Sequence, residues 1–310
     1  MKPARFPLLR LFAVLLPVLV CGCVERAPTQ FRINEEGRRA EDITTQQRDA
    51  IRDAVTDWFG TPDAPTLPDG SGLEQERLAL AAGPIGRKMD GSLQGLYRQH
   101  CAVCHGISGD GAGPLALIFD PYPRDFRDSI YKYTSTVAGA RATKDDLRQT
   151  IRVGLPATGM PGFDALNEND IDALVDYLIY FGIRGETENL LISIVVDEGE
   201  YLPLSSLARR QIVEEGVEWS AGQWKAVEES PEQYVLVPPP PPDVPLAGSI
   251  QLGRELYISK NAQCVSCHGD EGRGDGDDTE QFDDWNKPKH GVSEKQSAIL
   301  AERFTLPKQV

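Results

Sequence analysis

Two short stretches of this 310-residue chain place sulfur and imidazole side by side: Cys101-Ala-Val-Cys104-His105 and Cys264-Val-Ser-Cys267-His268. Two thiols three positions apart, followed at once by histidine, have the spacing at which a haem is attached through thioether bonds. Rival chemistries fit less well. A disulfide within each pair leaves the following histidine without a role. A four-cysteine zinc site keeps its halves roughly 15–20 residues apart, whereas 160 residues separate Cys104 from Cys264. Two covalently held haems account for both pairs and both histidines.

The N-terminus fits the compartment that such chemistry needs. Lys2, Arg5 and Arg10 precede an apolar run from Leu11 to Val20, which is too short to span a bilayer and reads as a secretory signal. The segment Val20-Cys21-Gly22-Cys23 resembles a bacterial lipobox. Residues 1–22 are then expected to be removed and Cys23 to become a lipidated first residue. Acyl chains would hold the protein to the membrane, on the periplasmic side, without spanning it. Ordinary cleavage near Ala27 is the alternative. Export also demands a covalent fate for the remaining cysteines, because free thiols are oxidised outside the cytoplasm.

The elements that must position these groups read as helices. Ile51, Val55 and Trp58 form one stripe ending at Gly60, expected to dock on the unit behind it, and a Pro- and Gly-rich tail follows. A short helix with Tyr97 four residues ahead of Cys101 enters the first attachment site, while Met89, further upstream, is expected to pack. Thr143 caps a helix closed by Gly154, with Asp146 completing its boxed start. After Asn167, Ile171, Leu174, Val175 and Leu178 recur at helical spacing, with Gly182 marking the end. The fold class is all-α. Residues 23–85 are an N-terminal helix and tether, 86–185 the first haem unit, 186–248 a helical and proline-rich connector, and 249–310 a second unit.

Charge narrows the function. The chain carries −15, which excludes nucleic acid as a partner because phosphates demand a basic surface. The connector holds twelve acidic and three basic residues, and its five consecutive prolines from Pro238 to Pro242 make a stiff spacer of about 15 Å. The flanking units share a grammar. His-Gly-Ile-Ser-Gly-Asp-Gly in the first answers to His-Gly-Asp-Glu-Gly-Arg-Gly in the second, and Phe119-Asp120 and Phe282-Asp283 lie equally far past their histidines. A duplicated unit is the simplest account.

Both units resemble class I cytochrome c domains, over about 100 residues of the first and about 60 of the second. The resemblance implies that Cys101 and Cys104 hold one haem c and Cys264 and Cys267 another. It makes His105 and His268 proximal iron ligands, and Met160, in Gly159-Met160-Pro161, the distal ligand of the first iron. Two permanent axial ligands leave no site for substrate, and a thioether raises the potential. That is an electron carrier's arrangement, with a quinol-oxidising complex or a terminal oxidase as redox partner. Arg124 is a candidate for a haem propionate, and His100 for the surface or the propionate side. A dihaem peroxidase and a haem-bearing sensor or interaction module are the alternatives.

The second unit is expected to be incomplete, through truncation or a frameshift. At the first unit's spacing its distal methionine would lie beyond Val310, and no methionine follows Met160. His290 is a substitute ligand by chemistry, but the repeat sets it against Asp125, well before a ligand loop.

Overall fold

The computed structural model describes residues 29–34, 42–89, 91, 93–119, 121–156, 158–197, 206–239, 245–273 and 276. Cys23, His290, the pair Phe282-Asp283 and most of the proline run lie outside the described residues. The fold is all-α, relieved among the described residues by two hairpins of two-residue strands, Gly60–Thr61 with Ala64–Pro65 and Gly86–Arg87 with Leu93–Gln94. Among the described residues no helix is long and apolar enough to cross a membrane.

Helix α1 (Thr45–Phe59) opens on a capping box: the Thr44 hydroxyl accepts from the Gln47 N–H, and the Gln47 side chain accepts from the Thr44 N–H. It stops at Gly60, whose φ of 69° suits glycine. Its buried face is Ile51, Ala54, Val55 and Phe59, and Trp58 is only half-buried beside it. Ile51 and Val55 of the expected stripe are thus buried, and Phe59 takes the fully buried place expected of Trp58. Met89 does not pack at all; it is fully exposed.

Helices α2 (Gln75–Ala81), α3 (Leu96–His100) and α4 (Ala102–His105) follow, then a 3-10 turn at Ala116–Ile118 and α5 (Lys144–Val153). The Thr143 box and the Gly154 stop of α5 form as the sequence predicts. Helix α6 (Glu168–Ile192) is the axis of the core, in contact with α1, α2, α3 and α5, and with α7 (Ser206–Glu229). Asn167 caps it by accepting from the Asp170 N–H at 2.9 Å.

The expected end of α6 at Gly182 is wrong. The helix runs three turns further, through Gly182 and Gly185 to Ile192. Both glycines lie where another chain segment presses on the helix. A Cβ at Gly182 would strike the Ser129 side chain, and one at Gly185 the backbone of Arg127. These glycines serve close packing rather than termination.

The segment after α6 makes a π-helical turn at Ser193–Asp197. Helix α7 then returns along α6, burying Val217, Ala221, Trp224 and Val227. Beyond α8 (Pro231–Tyr234), the chain stitches to the loop before α5. The Val137 N–H donates to the Tyr234 carbonyl, and the Leu236 N–H to the Ser135 carbonyl, each at 2.8 Å. The connector through Leu236 therefore packs with the first unit. Helix α9 (Leu246–Ile258) precedes α10 (Cys264–His268), which carries the second motif.

Candidate haem-binding site

The first attachment motif sits on α4, directly after α3, and its return loop is built from hydrogen bonds that need glycine. The Gly106 N–H donates to the Ala102 carbonyl at 2.9 Å, and Gly106 and Gly109 adopt φ of 75° and 71°. The buried Tyr97 hydroxyl donates to the Gly106 carbonyl at 2.8 Å, tying the preceding helix to the turn. A Cβ at Gly109 would meet the ring of Phe181 on α6, so this loop rests on the core helix.

Cys101, Cys104, His105 and Met160 all line one cavity that opens to solvent. Its walls are mainly apolar: Phe119, Phe126, Leu147, Ile151, Phe163 and Leu174 all contribute. Met160 arrives from a loop folded flat on the end of α5. The Leu155 N–H donates to the Met160 carbonyl, the Met160 N–H donates to the Thr158 hydroxyl, and the Phe163 N–H to the Ile151 carbonyl. Gly154 and Gly162 permit that fold, since a side chain on either would strike backbone.

The imidazole of His105 is fixed in orientation. Its Nδ1 lies 2.9 Å from the Arg124 carbonyl, which can only accept, so Nδ1 carries the proton and Nε2 keeps its lone pair. Burial pushes the His105 pKa down to about 4, against the opposing effect of that hydrogen bond, so the ring is neutral. Phe126 stacks on it with centroids 4.4 Å apart. Burial raises the Cys101 thiol to about 12, with neighbouring Cys104 adding to the rise, and burial raises Cys104 as well. A thiol so raised is a poor nucleophile in the folded domain.

The residues therefore fit a haem c: two thiols, an oriented neutral imidazole and a thioether on the walls of one apolar cavity. Arg124 also lines it. His100, expected at the surface or on the propionate side, lines the cavity and meets Phe163 edge-on at 5.7 Å. Phe126 and Tyr131 were not singled out by sequence. They lie in an irregular stretch with no periodicity, and only their aromatic character could have drawn notice.

The second motif repeats the local build. The Tyr257 hydroxyl donates to the Gly269 carbonyl at 2.6 Å, as Tyr97 does to Gly106. The Gly269 N–H donates to the Val265 carbonyl at 2.9 Å, and Gly269 and Gly272 have φ of 74° and 71°. Cys264 is half-buried and His268 exposed at this end of α10, which also carries Cys267.

Comparison with known proteins agrees with this cavity. The family described as Cytochrome c matches residues 94–180. Cytochrome c55X of Stutzerimonas stutzeri is 35% identical over 103 residues, which is 33% of this chain and 75% of that protein. The Cbb3-type cytochrome c oxidase subunit CcoP of Azospirillum brasilense is 28% identical over 88 residues, 28% of this chain. Only 29% of that subunit's length is spanned. A chain of the Kuenenia stuttgartiensis reducing HAO-like protein complex Kustc0457/Kustc0458 is 22% identical, covering 77% of this chain and 86% of that chain. Its TM-score is 0.40, too loose to bear on activity.

Proposed function

The chain belongs to the cytochrome c family, and from that premise we propose that it is an exported dihaem electron carrier, lipidated at Cys23 and serving a respiratory chain. The observation that carries the reading is the meeting of His105 and Met160, 55 residues apart, on the walls of one cavity with both thiols. Bound there, haem c supplies a one-electron iron couple. The protein's own residues do the rest. Cys101 and Cys104 anchor the group, and the Arg124 carbonyl aims the Nε2 lone pair of His105. Met160 would offer its sulfur from the loop after α5, and the apolar walls would supply a low-dielectric surrounding for the group. The second haem is proposed on Cys264, Cys267 and His268, supported by the shared tyrosine-to-carbonyl bond and glycine turn. Its distal ligand is left open, and His290 is not favoured. The resemblance to CcoP supports a terminal oxidase as one partner, with a quinol-oxidising complex as donor.

Intact mass and haem quantitation of the chain matured by a c-type haem assembly system test this directly. Two haems per chain are expected, one lost on changing Cys101 and Cys104 to Ala and the other on changing Cys264 and Cys267. A single haem confined to the first motif would reduce the second to a relic. For the anchor, Cys23→Ser is expected to move the protein from the membrane fraction to the soluble fraction, because acyl burial supplies the attachment. Unchanged fractionation would refute lipidation at that residue.

A further inference from the structure

We propose that α7 carries an electron port for a cationic redox partner, connected to the His105 side of the haem cavity by a line of aromatic side chains. This rests on the reading of the first unit as a haem electron carrier. Phe126, stacked on His105, also lies against Tyr131, with centroids 6.2 Å apart and planes 19° from parallel. Tyr131 lines the cavity and meets Trp224 of α7 edge-on at 6.0 Å. These separations are those of rings in contact. Trp224 is 5% exposed, so the line runs through packed protein.

The line reaches the surface through a cation. The Arg141 guanidinium carbon lies 5.9 Å from the Trp224 ring and 5.7 Å from the Trp219 ring, held in place by Glu186 at 2.5 Å. Trp219 is 58% exposed and does not line the cavity. A tryptophan left in water on a helix that buries Val217, Trp224 and Val227 is the kind of residue that anchors interfaces. Around it in sequence stand the exposed carboxylates Glu214, Glu215 and Glu218. An apolar ring among acids fits a partner whose docking face is basic.

The transfer itself is simple. One electron passes from the partner's reduced centre to ferric iron, which becomes ferrous. No bond forms and no proton moves, and the aromatic rings remain unoxidised, lending overlap between donor and acceptor.

The route is tested by flash photolysis. A photoactive ruthenium complex is attached at Gln223→Cys, beside Trp219, in the full chain with Cys264 and Cys267 changed to Ser so that only the first haem reports. Trp224→Leu is expected to slow haem reduction at least tenfold, and Trp224→Phe to restore most of the rate. Haem content and the visible spectrum should stay unchanged in both. Equal rates in the parent and Trp224→Leu overturn the route alone; a parent haem that the flash never reduces overturns the electron-carrier reading with it. For the partner's charge, a fluorescent decalysine peptide is titrated onto the oxidised chain. Changing Glu214, Glu215 and Glu218 to Gln is expected to weaken binding at least fivefold more than changing Asp53, Asp69 and Glu76 to the matching amides. Equal weakening overturns the cationic docking site.

Discussion

Replacing Met160 with Ala is expected to leave the first haem covalently attached while abolishing its sulfur-to-iron charge-transfer band and lowering its potential. The argument starts from the loop. Met160 is placed by the backbone bonds from Leu155 and to Thr158, with Gly154 and Gly162 packed beneath it, and none of these depends on the methionine side chain. Truncation should therefore remove the sulfur without unfolding the loop. A thioether favours ferrous iron relative to harder ligands, and axial ligands together set haem potentials over about 0.8 V. A fall on the order of 100 mV, a modest fraction of that range, is the expected result. Near-infrared spectra and a redox titration of the single-haem chain measure both effects. An unchanged band would assign the distal position to another residue, and His100, already facing the cavity, would be the first to examine.

What the sequence disclosed, and what it withheld, follows the range of the forces involved. The attachment motif is local chemistry, so Cys101, Cys104 and His105 could be read from spacing. Met160 could be found at long range because the Gly-Met-Pro resemblance names it. The Thr143 box and the Gly154 stop are also local, and both form as expected. Gly182 shows where such reading fails. Like Gly154, it follows an amphipathic stretch, but its conformation is helical, and its purpose is to admit Ser129 from a loop more than 50 residues earlier. Nothing near Gly182 encodes that approach. The same holds for the packing of α7, whose imperfect periodicity reflects a helix that buries Trp224 against Tyr131 yet leaves Trp219 in water.

A second large effect is expected far from the cavity, at Arg184. Its guanidinium pairs with Glu188 one turn later, with nitrogen–oxygen distances of 3.2 and 3.3 Å, and both side chains are almost wholly buried. Glu188 also accepts from the backbone N–H of Asn34 at 3.1 Å, and Arg184 lies 4.2 Å over the ring of Phe31. The pair thus fastens the segment 29–34 to α6. That segment reaches the haem loop as well, since Arg32 pairs with Asp110 at 3.0 Å and its N–H donates to the Ser108 hydroxyl. Arg184→Ala would strand a buried carboxylate and remove the cation from above Phe31. Breaking a buried pair from one side costs about 3–5 kcal/mol, which for a domain of this size lowers the melting temperature by roughly 10 °C. Replacing Arg184 and Glu188 together with Met should cost much less, because the stranded charge disappears. Thermal unfolding of the haem-loaded protein, followed by circular dichroism, compares the variants. If Arg184→Ala melts within 2 °C of the parent, or the double variant is the less stable of the two, the pair is not what holds the segment to the core.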